Sequence, residues 1–217
     1  MIFNSLNFKR IKPGNLDKLL ANGYRHFGSN FFRYSISEHE NEFVDVIPLR
    51  INLKEFRLSK SQRRILKKNK DCRFVFSELD INNGVNDLFH IHKQKFKFGI
   101  PPSIHTFLGD DLNDYPCGVV QLSVYNENIL YSVSFLDVGE NSTSSIYGMY
   151  HPEYSNLSPG IFTMLKEIEY SIENNKNYYY SGYCYNVPSY YDYKKYFSGL
   201  EYYNWQGSWI PFEYESE

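Results

Sequence analysis

The stretch GVVQLSVYNENILYSVSFL, residues 118–136, decides the fold. Two β-rich runs, 119–125 and 129–136, flank the polar Asn126, Glu127 and Asn128, which predicts a hairpin. Downstream, residues 145–150 predict a third strand. Ser158, Pro159 and Gly160 open a helix to about Asn174, with Pro159 in its first turn and Ile161, Leu165, Ile168 and Ile172 on one face. A strand at 178–183, a short helix at 189–196 and a last strand at 202–205 complete an α+β layer on an antiparallel sheet. Upstream, the pattern predicts a helix at 16–22, a strand at 30–35, a polar loop at 37–42 and a strand at 44–53. Ser59 caps a helix over 60–69, a strand follows at 73–78, and a helix over 87–98 ends at Gly99 before Pro101 and Pro102. The Pro-, Asp- and Gly-rich stretch 101–116 is the expected boundary. It divides an N-terminal α/β lobe, residues 1–100, from an antiparallel-sheet lobe, residues 101–217.

Composition bounds the function. The 217 residues are 42% hydrophobic and 22% charged, a folded globular balance. A formal charge of −2 argues against a surface that is basic throughout, so any nucleic-acid contact must be a local patch. Cys72, Cys117 and Cys184 are too few for a disulfide framework, and no C-x-x-C pair offers a zinc or iron–sulfur site. No metal and no cofactor are therefore expected. The few cysteines fit a reducing compartment and no run approaches 18 apolar residues, so a cytoplasmic protein with no membrane partner is expected; a monomer is expected as well. The aromatic excess, 21 Tyr and 17 Phe, accompanies a single alanine, Ala21, the mark of an AT-rich coding sequence. It does not by itself argue for a stacking surface.

One charge feature stands out. Residues 54–73 hold nine basic side chains against two acidic ones, a local +7 that leaves the rest of the chain at −9. On the helix, Lys60, Arg64, Lys67 and Lys68 fall along one side, while Leu58, Ile65 and Leu66 can face a core. The stripe suits a phosphate backbone, although solvated basic faces are common. The six histidines show no metal-ligand spacing, and no nucleophile elbow or Walker-type loop is present. Gly182, within Tyr180-Ser181-Gly182-Tyr183, points to a backbone closely approached by a ligand or a neighbouring element.

Taken together, these segments resemble the arginyl- and leucyl-tRNA–protein transferases of the N-end rule. Ile47-Pro48-Leu49-Arg50-Ile51, Phe56 and the run Ser59 to Asn69 match the pattern V-P-x-R-I, F and S-x-S-Q-R-R-x-x-x-x-N. Leu20 to Arg25 resembles L-x-x-x-G-x-R, and Phe32-Arg33-Tyr34 resembles Y-R-P. Further on, Asp137-Val138, Tyr147 to Pro152, Gly160 to Glu169, Tyr180 to Tyr183 and Tyr193 to Phe197 follow the family's motifs in order, so the resemblance spans about residues 16 to 205. Three motifs differ. The family's cysteines before V-P-x-R, which hold a metal or iron–sulfur site, have no counterpart between Ser35 and Val46. His151 stands for the aspartate of Y-D-P, and Pro188 to Tyr191 lacks the basic residues of C-R-K-M.

The resemblance implies a GNAT-like acyltransferase fold. It also implies transfer of an amino acid, of the arginine or leucine type, from aminoacyl-tRNA to the free amine of a protein or peptide acceptor. On that reading Lys60, Arg63, Arg64, Lys67 and Lys68 face tRNA. Tyr183, Tyr193 and Lys194 orient the ester or donate to it, and Asp137 and Glu169 are candidate proton acceptors. Two other readings stay open: an N-acyltransferase using acyl-CoA or another small donor, and a non-catalytic relative that binds RNA or peptide.

Overall fold

A computed structural model describes residues 1–96 and 99–213. In chain order the elements are β1 (Phe3–Asn7), α1 (Pro13–Ala21), β2 (Arg25–Phe27), β3 (Asn30–Tyr34), β4 (Ile36–His39), β5 (Glu42–Asn52), α2 (Lys60–Lys68), β6 (Arg73–Ser77), α3 (Asn83–Lys93) and α4 (His105–Leu108). Then come β7 (Gly118–Asn126), β8 (Ile129–Val138), β9 (Ser142–Tyr150), α5 (Pro159–Glu173), β10 (Tyr178–Tyr185), β11 (Leu200–Tyr203) and β12 (Trp209–Pro211). The 118–136 hairpin forms as expected, with Glu127 at its turn in the left-handed region.

The hairpin sits inside a nine-stranded sheet ordered β12-β11-β5-β10-β9-β8-β7-β6, with β4 also paired to β5. A small sheet, β1-β3-β2, stands apart. The large sheet runs across the expected boundary near residue 101: β5 lies between β10 and β11, and β6 pairs with β7. Arg50 ties β5 into place through its 2.6 Å ion pair with Glu201, with its guanidinium over the rings of Tyr178 and Trp209. The core between sheet and helices holds Leu49, Ile51, Leu136, Leu165, Ile168 and Tyr179, and a second cluster packs α3 and α4 against β8 and β9.

Several local expectations change. Residues 37–42 form a hairpin rather than a loop, because Glu40 and Asn41 both adopt positive φ and turn β4 back on β5. The helix expected at 87–98 spans Asn83–Lys93 instead, since the Asn82 side chain caps it by accepting from the Val85 amide. Lys97 and Phe98 lie outside the described residues. On α5 the buried face is turned toward Met164, Glu167 and Ser171, and Ile172 is 46% exposed. Hydrogen bonds draw that polar side inward: Ser171 Oγ lies 2.6 Å from Thr143 Oγ1, and Tyr179 donates to Glu167.

Candidate functional site

Among the described residues β9 and β10 are the only parallel neighbours in the sheet, and they pair over just three positions, ending at Tyr180 and Ser144. Beyond that point both strands are diverted. β10 shifts register against β5 between Tyr180 and Gly182, and β9 shifts against β8 opposite Phe135 and Leu136. Splayed strands leave backbone carbonyls in need of donors. Arg25, reaching over from β2, supplies them: its Nη2 donates to Ser145 O at 2.6 Å and to Ile146 O at 3.1 Å. Gly182, at φ +96°, faces this guanidinium so closely that a Cβ there would stand 1.8 Å from Nη1. The close approach expected at Gly182 is therefore made by a neighbouring side chain.

Beside the splay opens a cavity of about 460 Å³, its solvent mouth included. Six rings line it, those of Phe27, Phe32, Tyr34, Tyr183, Tyr185 and Tyr191, together with two cations, Arg25 and Lys194. No carboxylate is among the lining residues. Lys194 belongs to a 3-10 turn, Asp192–Tyr196, and is 8% exposed. Its Nζ donates to Tyr183 O at 3.2 Å and lies 4.9 Å from the centre of the Tyr191 ring. Burial, reinforced by the charge of Arg25, pulls its pKa down to about 7. The Tyr183 hydroxyl is committed to Gly23 O at 2.7 Å, and burial pushes its pKa up.

The fold thus joins Tyr183 and Lys194 in one cavity and leaves Asp137, Glu169 and Tyr193 out of its lining. Glu169 is exposed on α5 and pairs with Lys166 at 2.6 Å. Tyr193 is 37% exposed on the 3-10 turn. Asp137 is buried, and it accepts from His26 Nε2 and Tyr115 Oη, both at 2.8 Å, and from Cys117 Sγ at 3.4 Å. The other nitrogen of His26 lies 2.8 Å from Gly28 O, so both ring nitrogens face oxygens and the ring is held as imidazolium. Burial works to lower the pKa of His26, but the charge and hydrogen bond of Asp137 outweigh it and the pKa is raised.

Spacing along the chain shows no metal-ligand set, yet ligand-capable atoms of His26, Cys117 and Asp137 lie within 4.8 Å of one another. Their donors and acceptors satisfy each other directly. The family's thiolate site has no counterpart here: residues 36–46 fold as β4 and the start of β5 and carry no cysteine, which does not fit a thiolate-held metal or cluster. His151 caps the turn that follows it, accepting from the Glu153 amide at 3.4 Å.

The basic helix α2 begins with a capping box in which Ser59 and Gln62 satisfy each other's amides. Ile65 and Leu66 pack inward, and Lys60, Arg63, Arg64, Lys67 and Lys68 are all exposed. Arg63 donates to Leu58 O and Lys68 to Asn156 O. Among the described residues none of the five pairs with a carboxylate. Gln62, on the buried side of α2, donates through Nε2 to Tyr196 O, so the helix that bears the stripe lies against the turn that carries Lys194. Arg25 is the site residue that the motif reading passed over. The signal for it was the G-x-R element at Gly23 to Arg25, read together with the glycine at 182.

Residues 84–204 match the family described as "Arginine-tRNA-protein transferase, C terminus". An aspartate/glutamate leucyltransferase of Campylobacter jejuni is 27% identical over 172 residues, covering 77% of this chain and 70% of that protein. A protein of the same name from Leptospira interrogans is 26% identical over 181 residues, covering 81% and 69%, and one from Vibrio parahaemolyticus is 29% identical over 177, covering 78% and 71%. The crystal structure of FemX superposes with a TM-score of 0.54 at 12% identity, covering 85% of this chain and 66% of that one. That last likeness speaks to the fold alone, which is GNAT-like.

Proposed function

Because the chain belongs to the arginine-tRNA-protein transferase family, an enzyme family that moves an amino acid from tRNA to protein, we propose that the ring-lined cavity beside the β9/β10 splay is its transfer centre. On this proposal the donor is leucyl-tRNA and the acceptor a protein that begins with aspartate or glutamate, a choice supported by the relatives' name, aspartate/glutamate leucyltransferase. One observation carries the choice of donor: the lining joins six rings and two cations with no carboxylate. An arginyl side chain would find no counter-charge there, whereas a leucyl side chain suits aromatic walls.

Aminolysis of an aminoacyl ester needs a neutral amine, a proton acceptor and support for the oxyanion. The ester is already activated, so holding amine and carbonyl together supplies much of the rate. The amine nitrogen attacks the ester carbonyl, a C–N bond forms and the C–O bond to the terminal ribose breaks. Lys194, which lines the cavity and has its pKa near 7, takes the proton from the amine and returns it to the leaving ribose oxygen. Positive surroundings also disfavour the protonated amine of the acceptor. The exposed stripe Lys60 to Lys68 holds tRNA phosphates beside the turn that bears Lys194. A CoA-type donor is disfavoured, since Arg25 fills the gap between β9 and β10 where GNAT-type sheets open.

Incubation with labelled leucyl-tRNA or arginyl-tRNA and a peptide beginning with Asp tests this reading. Leucine should pass to the peptide amine. Transfer of arginine in its place, or acylation from acyl-CoA, would overturn it.

A further inference from the structure

We infer that Arg25 is the residue that reads the acceptor, through a hydrogen-bonded ion pair with the side-chain carboxylate of the acceptor's first residue. This rests on the reading that the acceptor enters the ring-lined cavity.

Arg25 is half-buried and fixed. Its Nη2 is spent on Ser145 O and Ile146 O, which sets the plane of the guanidinium, and Gly182 gives it room. Among the described residues nothing accepts from Nη1 or Nε, and no carboxylate lies within 4.0 Å of any of its nitrogens. Asp137, the ion-pair partner of the adjacent residue His26, is already neutralised by it and held by Tyr115 and Cys117. A guanidinium always carries its charge, and a partly desolvated charge without a counter-ion is costly unless a ligand completes it. Lys194, in the same lining, adds to the positive field.

The cavity therefore asks for a small anion on an apolar stem, flanked by rings. A carboxylate on one or two methylenes answers that description. Nucleic-acid phosphates already have the exposed, unpaired stripe on α2, which suits a solvated backbone better than a ring-lined recess does. The geometry also suits an arginine: the side chain bridges two β9 carbonyls through Nη2 while lining the cavity, and its remaining N–H groups have no acceptor among the described residues, whereas an ammonium has three protons for the same work.

The test compares peptides that begin with Asp and with Asn, isosteres that differ in one charge, on the full chain and on R25Q and R25K. Two ratios are read: the Asp-to-Asn ratio of kcat/KM in transfer from leucyl-tRNA, and the ratio of Kd by calorimetry without any donor. The parent should favour Asp by about 10- to 100-fold in both, the range of a charge-assisted hydrogen bond. R25Q, which keeps N–H donors for the β9 carbonyls, should bring both ratios close to one, and R25K should restore part of them. An unchanged ratio in R25Q overturns the inference. So does a weakened grip on leucyl-tRNA with the peptide ratio intact, which would mean that Arg25 reads a phosphate. If neither peptide is acylated but Asp still binds better and R25Q abolishes that preference, the transfer reading fails and the inference stands. Should the variants not fold, binding to the parent decides: equal Kd values for Asp and Asn overturn the inference, and a preference for Asp supports it.

Discussion

Replacing Lys194 by Met should make the protein more stable and a poorer enzyme at once. The side chain is 8% exposed and its pKa is held at about 7 instead of the ordinary 10.5, by burial first and by Arg25 second. At about 1.4 kcal/mol per tenfold, that depression corresponds to a ceiling of about 5 kcal/mol of folding free energy lost at neutral pH. Relaxation of the site and the lost bond to Tyr183 O reduce the net gain on substitution to roughly 1–3 kcal/mol. The pH dependence has a definite sign. The unfolded chain keeps this proton up to about pH 10.5, while the folded chain releases it near 7, so the parent gains stability as pH rises between those values and carries the whole deficit below 7. Methionine fills much the same volume without titrating. Urea unfolding at pH 6.5 should therefore favour Lys194→Met by about 1–3 kcal/mol, and the advantage should narrow by pH 9. Single-turnover transfer should fall by on the order of tenfold to a hundredfold, and the rise in rate toward pH 7 expected of the parent should be absent from the variant. A variant less stable than the parent at pH 6.5 would refute the buried-charge argument. Unchanged transfer with an unchanged pH profile would refute the role given to Lys194.

Removing Arg64 and Lys67 together should weaken binding to every tRNA alike and flatten the salt dependence by about one unit of slope for each phosphate no longer neutralised, with little change in stability; filter binding at two salt concentrations measures this, and equal affinity would remove α2 from the RNA surface. At the buried pair, Asp137→Ala should cost about 3–5 kcal/mol, because it strands the His26 imidazolium. The pKa of His26 is raised, so the pair's contribution is complete below about pH 6.5 and fades as pH climbs through the higher folded value; a His26→Gln variant should lack that alkaline decline in its unfolding curves, and a decline of the same size would acquit the pair. Gly182→Ala sets a Cβ against the Arg25 guanidinium at φ +96° and should lower stability by roughly 1–3 kcal/mol along with transfer; a parental melting curve would show that Arg25 can move aside.

Much of this molecule could be read along the chain where neighbours in sequence are neighbours in space. The 118–136 hairpin, the Ser59 cap and the Pro159 helix start are of that kind, since turn chemistry and capping act over three or four residues. Motif order likewise placed Tyr183 and Lys194 together. What stayed hidden depends on contacts across the sheet. Arg25 meets the carbonyls of Ser145 and Ile146 some 120 positions away, and His26 meets Asp137 at a separation of 111, distances that no periodicity encodes. Asp137 shows the limit most clearly: the resemblance made it a candidate proton acceptor, and only the folded chain shows its carboxylate accepting from His26, Tyr115 and Cys117. The short strands β1, β2 and β12 escaped for another reason, being three to five residues long with no regular alternation.

The place of β5 in the sheet has a consequence for how the chain is made. Tyr180 lies opposite Arg50, its partner 130 positions earlier, so the middle of the sheet closes only after β10 has left the ribosome. Until then β5 emerges with β4 as its only strand neighbour among the described residues, and the two edges destined for β10 and β11 are unsatisfied. Long-range pairing of this kind slows folding and leaves the nascent β5 waiting on β10 and β11. A break anywhere between β6 and β10 would part β5 from the strands that cover it, leaving sticky edges on both fragments.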